Sequence, residues 1–167
     1  VTLSDHLITQ TTHSVQQTEA CGAALAHRWI RELRQHPQKN DCIIVAMCGD
    51  LGVGKTAFVR GAVSVLAPQA RVTSPTYNIV NEYPMEDDGT LFHFDMYRIE
   101  QPDDLDSVGF WDYLSQRGIA VIEWSEHVMP YLPKPDYMVK IKKKLDNDTL
   151  ANENEREITV TIAGDQS

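Results

Sequence analysis

Eight consecutive residues, Gly49-Asp50-Leu51-Gly52-Val53-Gly54-Lys55-Thr56, constrain this chain more than any other stretch. They match G-x-x-x-x-G-K-[ST], the phosphate-binding P-loop. A triphosphate needs many donors close to its oxygens. Three glycines let the backbone turn tightly and come near, so that successive N–H groups can face the phosphates. In such a loop the lysine reaches the β- and γ-phosphates and the threonine offers its hydroxyl to Mg²⁺. The N-terminus of the helix that follows adds positive potential. Both flanks agree. Ile43-Ile44-Val45-Ala46-Met47-Cys48 is an unbroken apolar run, the pattern of a strand buried on both faces. Residues 57–66 read as a helix that Pro68 stops. Strand, glycine loop and helix in that order set aside a glycine-rich turn with an accidental Lys-Thr pair.

A chain of 167 residues, 42% of them hydrophobic, can bury a real core, and one domain over residues 1–167 is expected. No stretch has the length of a membrane span. No basic region followed by an apolar one marks a secretory signal near the start. Cys21, Cys42 and Cys48 form no C-x-x-C pair, and Cys48 reads as a small core residue. An odd cysteine count without a framework points to a reducing cytoplasm. The formal net charge of −9 argues against this chain alone gripping a nucleic-acid backbone. A nucleic-acid role calls for a partner or a local patch.

Along the chain, residues 6–11 read as a short strand. Ser14 caps a helix to about Leu33, with Gln17 placed for a capping box. Val15, Cys21, Leu25, Trp29 and Leu33 give that helix an apolar face, with Trp29 in the core. Residues 77–83 alternate as an edge strand, entered through Ser74-Pro75-Thr76, and Met85 to Gly89 forms a polar turn. Residues 91–98 then make the second strand of a hairpin. Pro102 opens a short helix that Gly109 ends, and residues 110–114 pack on the core. The apolar run from Gly118 closes on Glu123 and Trp124. Residues 137–145 form a one-sided strand that pairs with 158–162, across a polar turn or mobile loop at 146–155. Lys140, Lys142, Lys143 and Lys144 read as a solvated edge that blocks aggregation, with a tRNA-facing patch as the other reading.

A P-loop needs a carboxylate to hold Mg²⁺, directly or through water, and it usually ends an apolar strand beside the P-loop strand. Glu123 and Asp95 both fit. Glu123 ranks first, because Ile119-Ala120-Val121-Ile122 is apolar throughout and suits a central parallel strand. Asp95 follows Leu91-Phe92-His93-Phe94, which His93 interrupts, and so belongs nearer an edge; it also admits a plain pairing with Arg98. His93 has no second His or Cys at ligand spacing and reads as a hydrogen-bonded structural residue, not a metal ligand. Thr76 has two readings, a switch residue sensing the γ-phosphate or a turn hydroxyl. The nearest match to a guanine-recognition motif is Pro133-Lys134-Pro135-Asp136, with proline where asparagine belongs, which favours ATP over GTP.

Four blocks, the P-loop octet, Ser74-Pro75-Thr76-Tyr77, His93-Phe94-Asp95-Met96-Tyr97-Arg98 and Ile122-Glu123-Trp124-Ser125-Glu126, occur in the order and spacing of the bacterial TsaE (YjeE) family. The chain resembles that family over residues 12 to 145. The resemblance implies an α/β fold, a P-loop NTPase-like three-layer sandwich with a central mixed, mainly parallel sheet. It implies a small cytoplasmic ATPase, binding ATP or ADP with Mg²⁺, in the synthesis of threonylcarbamoyladenosine at position 37 of tRNAs that read ANN codons. Such a protein acts with the TsaD–TsaB pair, while TsaC makes the threonylcarbamoyl-adenylate, and it meets tRNA through the complex. By the same resemblance Gly49, Asp50, Leu51, Gly52, Val53, Gly54, Lys55 and Thr56 would cradle the phosphates. Thr56 and Glu123 would hold Mg²⁺, Asp95 would be needed for hydrolysis, and Ser74-Pro75-Thr76 would act as a switch. Trp124 would sit beside the nucleotide, and the first strand and Ser14 near the adenine. Val53 stands where the family often has alanine, a small change on a loop whose backbone does the binding. Nothing is carried over beyond about Leu145.

Two rival functions are a small-molecule kinase and a nucleotide-dependent switch. Such kinases carry an arginine-rich lid; after Pro102 the chain offers Arg117 but no arginine cluster. Nor does a motif place an arginine on the γ-phosphate, since Arg60 lies on the helix leading away and Arg98 sits near Asp95. The Ser74–Thr76 loop and the turn at Asp87-Asp88-Gly89 read as mobile segments that a partner would order.

Overall fold

The computed structural model describes residues 6–73, 78–86, 88–144 and 153–163, with the side chain of His6 left aside. Among the described residues seven strands form one sheet: β1 (His6–Thr12), β2 (Cys42–Cys48), β3 (Val80–Pro84), β4 (Thr90–Asp95), β5 (Gly118–Glu123), β6 (Tyr137–Lys143) and β7 (Arg156–Ile162). Their order is β1-β7-β6-β2-β5-β4-β3. The central four, β6, β2, β5 and β4, run parallel. Antiparallel partners complete the two edges. The helices are α1 (Val15–Gln35), α2 (Lys55–Leu66), α3 (Pro102–Ser107) and α4 (Phe110–Leu114). None of the described helices is long and apolar enough to cross a membrane.

Alternate residues of each strand face opposite layers. Ile43, Val45 and Met47 of β2 join Ile119 and Val121 of β5 beneath α1 and α2. Ile44, Ala120, Ile122, Phe92 and Phe94 face the other way, onto α3, α4 and the segment around Val128. This is a three-layer α/β sandwich around a mixed sheet with a parallel centre. Trp29 is fully buried, with its ring centroid 6.5 Å from Phe58 and 6.0 Å from Tyr137, so it joins α1, α2 and β6. On the opposite face Phe94 meets Phe110 at 5.0 Å and Tyr113 at 5.7 Å. Cys42 donates to the carbonyls of Tyr113 and Gln116, and its burial pushes the thiol up to about 12.

Ser14 caps α1 as expected, its Oγ accepting from the Gln17 N–H at 3.1 Å. The return bond of a capping box is shifted by one residue: Gln17 Oε1 accepts from His13 N–H. Val15 is 53% exposed and does not belong to the buried face. That face is Thr18, Cys21, Gly22, Ala26, Trp29 and Leu33, of which counting large apolar side chains passes over Thr18, Gly22 and Ala26. At Gly22 of α1 and Gly61 of α2 the two helices touch backbone to backbone. A Cβ on Gly22 would collide with the carbonyl of Phe58, and one on Gly61 with that of Glu19. The Arg60–Glu19 ion pair closes the same contact at 2.7 Å.

Several expected boundaries move. β3 begins at Val80 and β4 ends at Asp95, since Asn78-Ile79 bends and Met96-Tyr97-Arg98 turns away from the sheet. The lysines of β6 do not mark an edge. β6 lies between β7 and β2, and Lys140, Lys142 and Lys143 occupy its exposed positions. Lys144, just past the strand, pairs with Glu155 at 3.3 Å. Cys48 is half-buried where β2 leaves the sheet, so it is not a full core residue. Asp136 serves the backbone, accepting from Ile44 N–H at 2.7 Å. The β3–β4 turn is anchored at Asp88, which Arg34 grips at 2.9 Å. It lies at the end of β4 remote from Asp95. Asp87, the Ser74-Pro75-Thr76-Tyr77 segment and most of the expected loop at 146–155 lie outside the described residues.

Gly22→Ala adds a good helix former yet drives a methyl into an unyielding carbonyl. Overpacking of this kind costs about 1–3 kcal/mol, more than the ~1 kcal/mol that alanine gains over glycine in a helix. The expected result is a lower urea midpoint, read by circular dichroism; an unchanged or raised midpoint contradicts the close α1–α2 contact.

Candidate functional site

β2, β5 and β4 end side by side, and the chain segments leaving them converge. In open parallel sheets the crevice beyond the strand C-termini is where ligands bind. β2 hands the chain to the loop Gly49–Gly54, and α2 starts at Lys55. Gly49, Gly52 and Gly54 have φ of 148°, 74° and 110°, values that disfavour any side chain. Gly49 also passes so close to the Ile141 carbonyl of β6 that a Cβ would clash. Val53 is buried, whereas Leu51 is 83% exposed at the loop tip.

The loop leaves donors open. Phe58 N–H is bonded to the Gly54 carbonyl at 3.0 Å. The N–H groups of Lys55, Thr56 and Ala57 have no hydrogen-bond partner among the described residues, and neither does the Thr56 hydroxyl. Unpaired N–H groups at a helix start form an anion site. The Lys55 ammonium donates to the carbonyls of Gly49 and Asp50 and stands 4.0 Å over the Trp124 ring. Burial lowers its pKa, while Glu123, Glu126, Asp95 and Asp50 act the other way and favour the charged form. Trp124 adopts left-handed backbone, φ 56°, at the turn after β5. Ser125, fully buried, ties that turn to the end of β2 by donating to the Met47 carbonyl at 2.9 Å.

Two carboxylates meet across the β4–β5 pair. Asp95 and Glu123 are register partners, and the Met96 N–H donates to the Glu123 carbonyl. Glu123 is buried and Asp95 half-buried. Asp95 Oδ1 accepts from Tyr97 N–H at 3.0 Å, not from Arg98, which is exposed with no ion pair among the described residues. Glu123 Oε1 lies 2.9 Å from Nε2 of the buried His93. Among the described residues no three His, Cys, Asp or Glu side chains form a metal cluster.

The comparisons with known proteins agree with each other. The model of the family described as "Threonylcarbamoyl adenosine biosynthesis protein TsaE" matches residues 12–158. The chain belongs to the TsaE family. Its similar relatives include tRNA threonylcarbamoyladenosine biosynthesis protein TsaE of Haemophilus influenzae, 40% identical over 65% of this chain and 67% of that protein. The protein of the same name from Treponema pallidum is 38% identical over 70% of this chain and 80% of its own length. The crystal structure of Bacillus subtilis YdiB superposes with a TM-score of 0.67 at 25% identity, covering 97% of this chain and 89% of that one.

In this TsaE-family chain the motif residues Gly49, Asp50, Leu51, Gly52, Val53, Gly54, Lys55 and Thr56 form one loop and helix start, with Trp124, Glu123 and Asp95 beside it. Thr76 lies outside the described residues. Three further residues support the site. Ser125 follows the Glu-Trp pair directly, and its burial is the signal that pattern reading lacks. Arg156, at the start of β7, donates to the Val53 carbonyl of the loop at 2.8 Å. His93 was legible as a hydrogen-bonded residue, but only strand register shows that its partner is Glu123.

Ser125→Ala leaves the buried Met47 carbonyl without its donor. Such a loss costs about 1–3 kcal/mol, and a chemical-denaturation curve is expected to shift by that amount. A curve that superposes on the wild type would show that the turn does not depend on this bond.

Proposed function

We propose that this chain is the ATP-binding, Mg²⁺-dependent ATP-hydrolysing component of the machinery that makes threonylcarbamoyladenosine on tRNA. It works in the cytoplasm with the TsaD–TsaB pair and meets tRNA through that complex. The observation that carries the reading is the row of N–H groups at Lys55, Thr56 and Ala57 left open among the described residues, together with a buried ammonium that among them is held by two loop carbonyls and an aromatic face. Family membership supplies the tRNA-modification context.

The residues fit a metal-bound nucleotide. Mg²⁺ keeps most of its waters and takes one or two protein oxygens together with phosphate oxygens. The Thr56 hydroxyl and Glu123 Oε2, both without a hydrogen-bond partner among the described residues, match that demand. When bound, the ion supplies charge neutralisation on the β- and γ-phosphate oxygens. Lys55 trades its loop carbonyls for those oxygens. Asp95 keeps Oδ2 clear of protein partners among the described residues and can orient a water or accept its proton. The turn held by Ser125 keeps Trp124 against the loop.

No arginine among the described residues is held in place for the γ-phosphate: Arg98, exposed in the turn after Asp95, makes no ion pair among them that would fix it. Arg60 is held by Glu19, and Arg117 by the carbonyls of Leu33, His36 and Lys39. Arg156 spends its N–H groups on Val53, Glu153 and Glu155. Slow turnover by the pure chain follows, with acceleration when a partner orders the site or adds a cation.

The test is steady-state ATP turnover of the pure chain, then with TsaD and TsaB added. Turnover is expected to be slow alone and to rise with the pair; fast turnover that ignores the pair contradicts the reading. Asp95→Asn is expected to lower the stimulated rate about 10²-fold or more, with ATP affinity little changed by calorimetry. Glu123→Gln is expected to blunt the Mg²⁺ dependence of turnover. The reverse pattern would exchange the roles of the two carboxylates.

A further inference from the structure

His93 is fully buried, with Nε2 2.9 Å from Glu123 Oε1 and Nδ1 without a hydrogen-bond partner. With Glu123 ionised the carboxylate only accepts, so Nε2–H is the donor of this bond, while Nδ1 has no hydrogen-bond partner among the described residues. The histidine therefore makes one polar contact, and it makes it to Glu123.

The sheet sets this contact. His93 pairs in register with Val121, and Asp95 with Glu123, so His93 and Glu123 are diagonal neighbours on the face toward α2. The adjacent position on that face of β4 is Leu91, in the core. An aliphatic residue at 93 would pack there without burying a polar ring, and buried polar pairs are seldom retained for stability alone.

We propose that His93 is a positioning residue for Glu123. The inference rests on the reading of Glu123 as the Mg²⁺-holding carboxylate. The Nε2–H bond commits Oε1 and leaves Oε2 as the oxygen available to the metal. It also keeps two attractive charges apart. Glu123 favours the charged form of Lys55, yet the Lys55 ammonium rests on the carbonyls of Gly49 and Asp50 and makes no ion pair with Glu123. Coulombic attraction would draw a carboxylate released from His93 toward that ammonium and away from the metal. Carboxylates that hold metals are themselves hydrogen-bonded, and such outer partners fix the orientation of the direct ligand.

The test is a calorimetric titration of ADP into the full chain at a series of Mg²⁺ concentrations, which reads binding and not turnover. His93→Phe keeps a ring in the core and removes the donor. It is expected to raise the Mg²⁺ concentration for half-maximal ADP binding about 10–100-fold. His93→Gln, whose amide N–H reaches a similar position, is expected to restore it. In a Glu123→Gln background, His93→Phe is expected to add no further shift, because the two residues act as one unit. A His93→Phe protein with a cooperative thermal melt and wild-type Mg²⁺ dependence overturns the proposal, as does a glutamine variant no better than phenylalanine. If Glu123→Gln alone leaves the Mg²⁺ dependence unchanged, the metal reading of Glu123 fails and takes the proposal with it. If Glu123→Gln shifts it and His93→Phe does not, only the positioning role fails. Should the phenylalanine variant not fold, His93→Asn, whose amide is too short to reach Oε1, takes its place in the same cycle.

Discussion

The structure depends on β2 being buried on both faces and paired on both edges. β5 and β6 flank it in parallel, so its position in the sheet is fixed before the chain enters the phosphate loop. A loop that must hold three glycines in left-handed or otherwise unusual backbone is costly to order. It is stable here because both ends are held. Gly49 is wedged against Ile141 of β6, Arg156 of β7 binds the Val53 carbonyl, and Phe58 N–H closes onto Gly54. The close packing of α1 on α2 then fixes the helix whose first turn carries the open N–H groups. Strain at the loop is compensated by the rigidity of what surrounds it.

The same logic explains which features were legible in the sequence. The continuous apolar runs of β2 and β5 declared strands buried on both faces, and the glycine pattern declared the loop. Period-two alternation found β6 and β7, and their pairing was right. Pattern failed where the deciding quantity was spatial. The lysines of β6 looked like an edge because exposure on one face reads the same in an edge strand and an interior one. The buried stripe of α1 was misread at Val15 because glycine, alanine and threonine carry the contact with α2. The β3–β4 turn read as mobile from its polarity, although Arg34 anchors Asp88.

At the site, both carboxylates were found by chemistry at strand ends, and Glu123 was rightly placed more centrally than Asp95. Their adjacency was not legible, because register depends on how β4 and β5 align and not on either segment alone. The bond from His93 to Glu123 follows from that register and was hidden for the same reason. Spacing also admitted a pairing of Asp95 with Arg98 as the alternative reading, but the turn at Met96-Tyr97-Arg98 gives the carboxylate a backbone N–H instead. Short-range competition between side chain and backbone is where spacing arguments are weakest.

The central claim is that Lys55 and the open N–H groups around it bind the phosphates of a nucleotide. The direct measurement is calorimetric titration of ATP with Mg²⁺ into the wild type and into Lys55→Ala, with both proteins shown to be folded. Loss of one charge-assisted contact is worth about 1.5–3 kcal/mol, so the affinity of the variant should fall at least ~10-fold. Equal affinity in the two proteins would contradict the account.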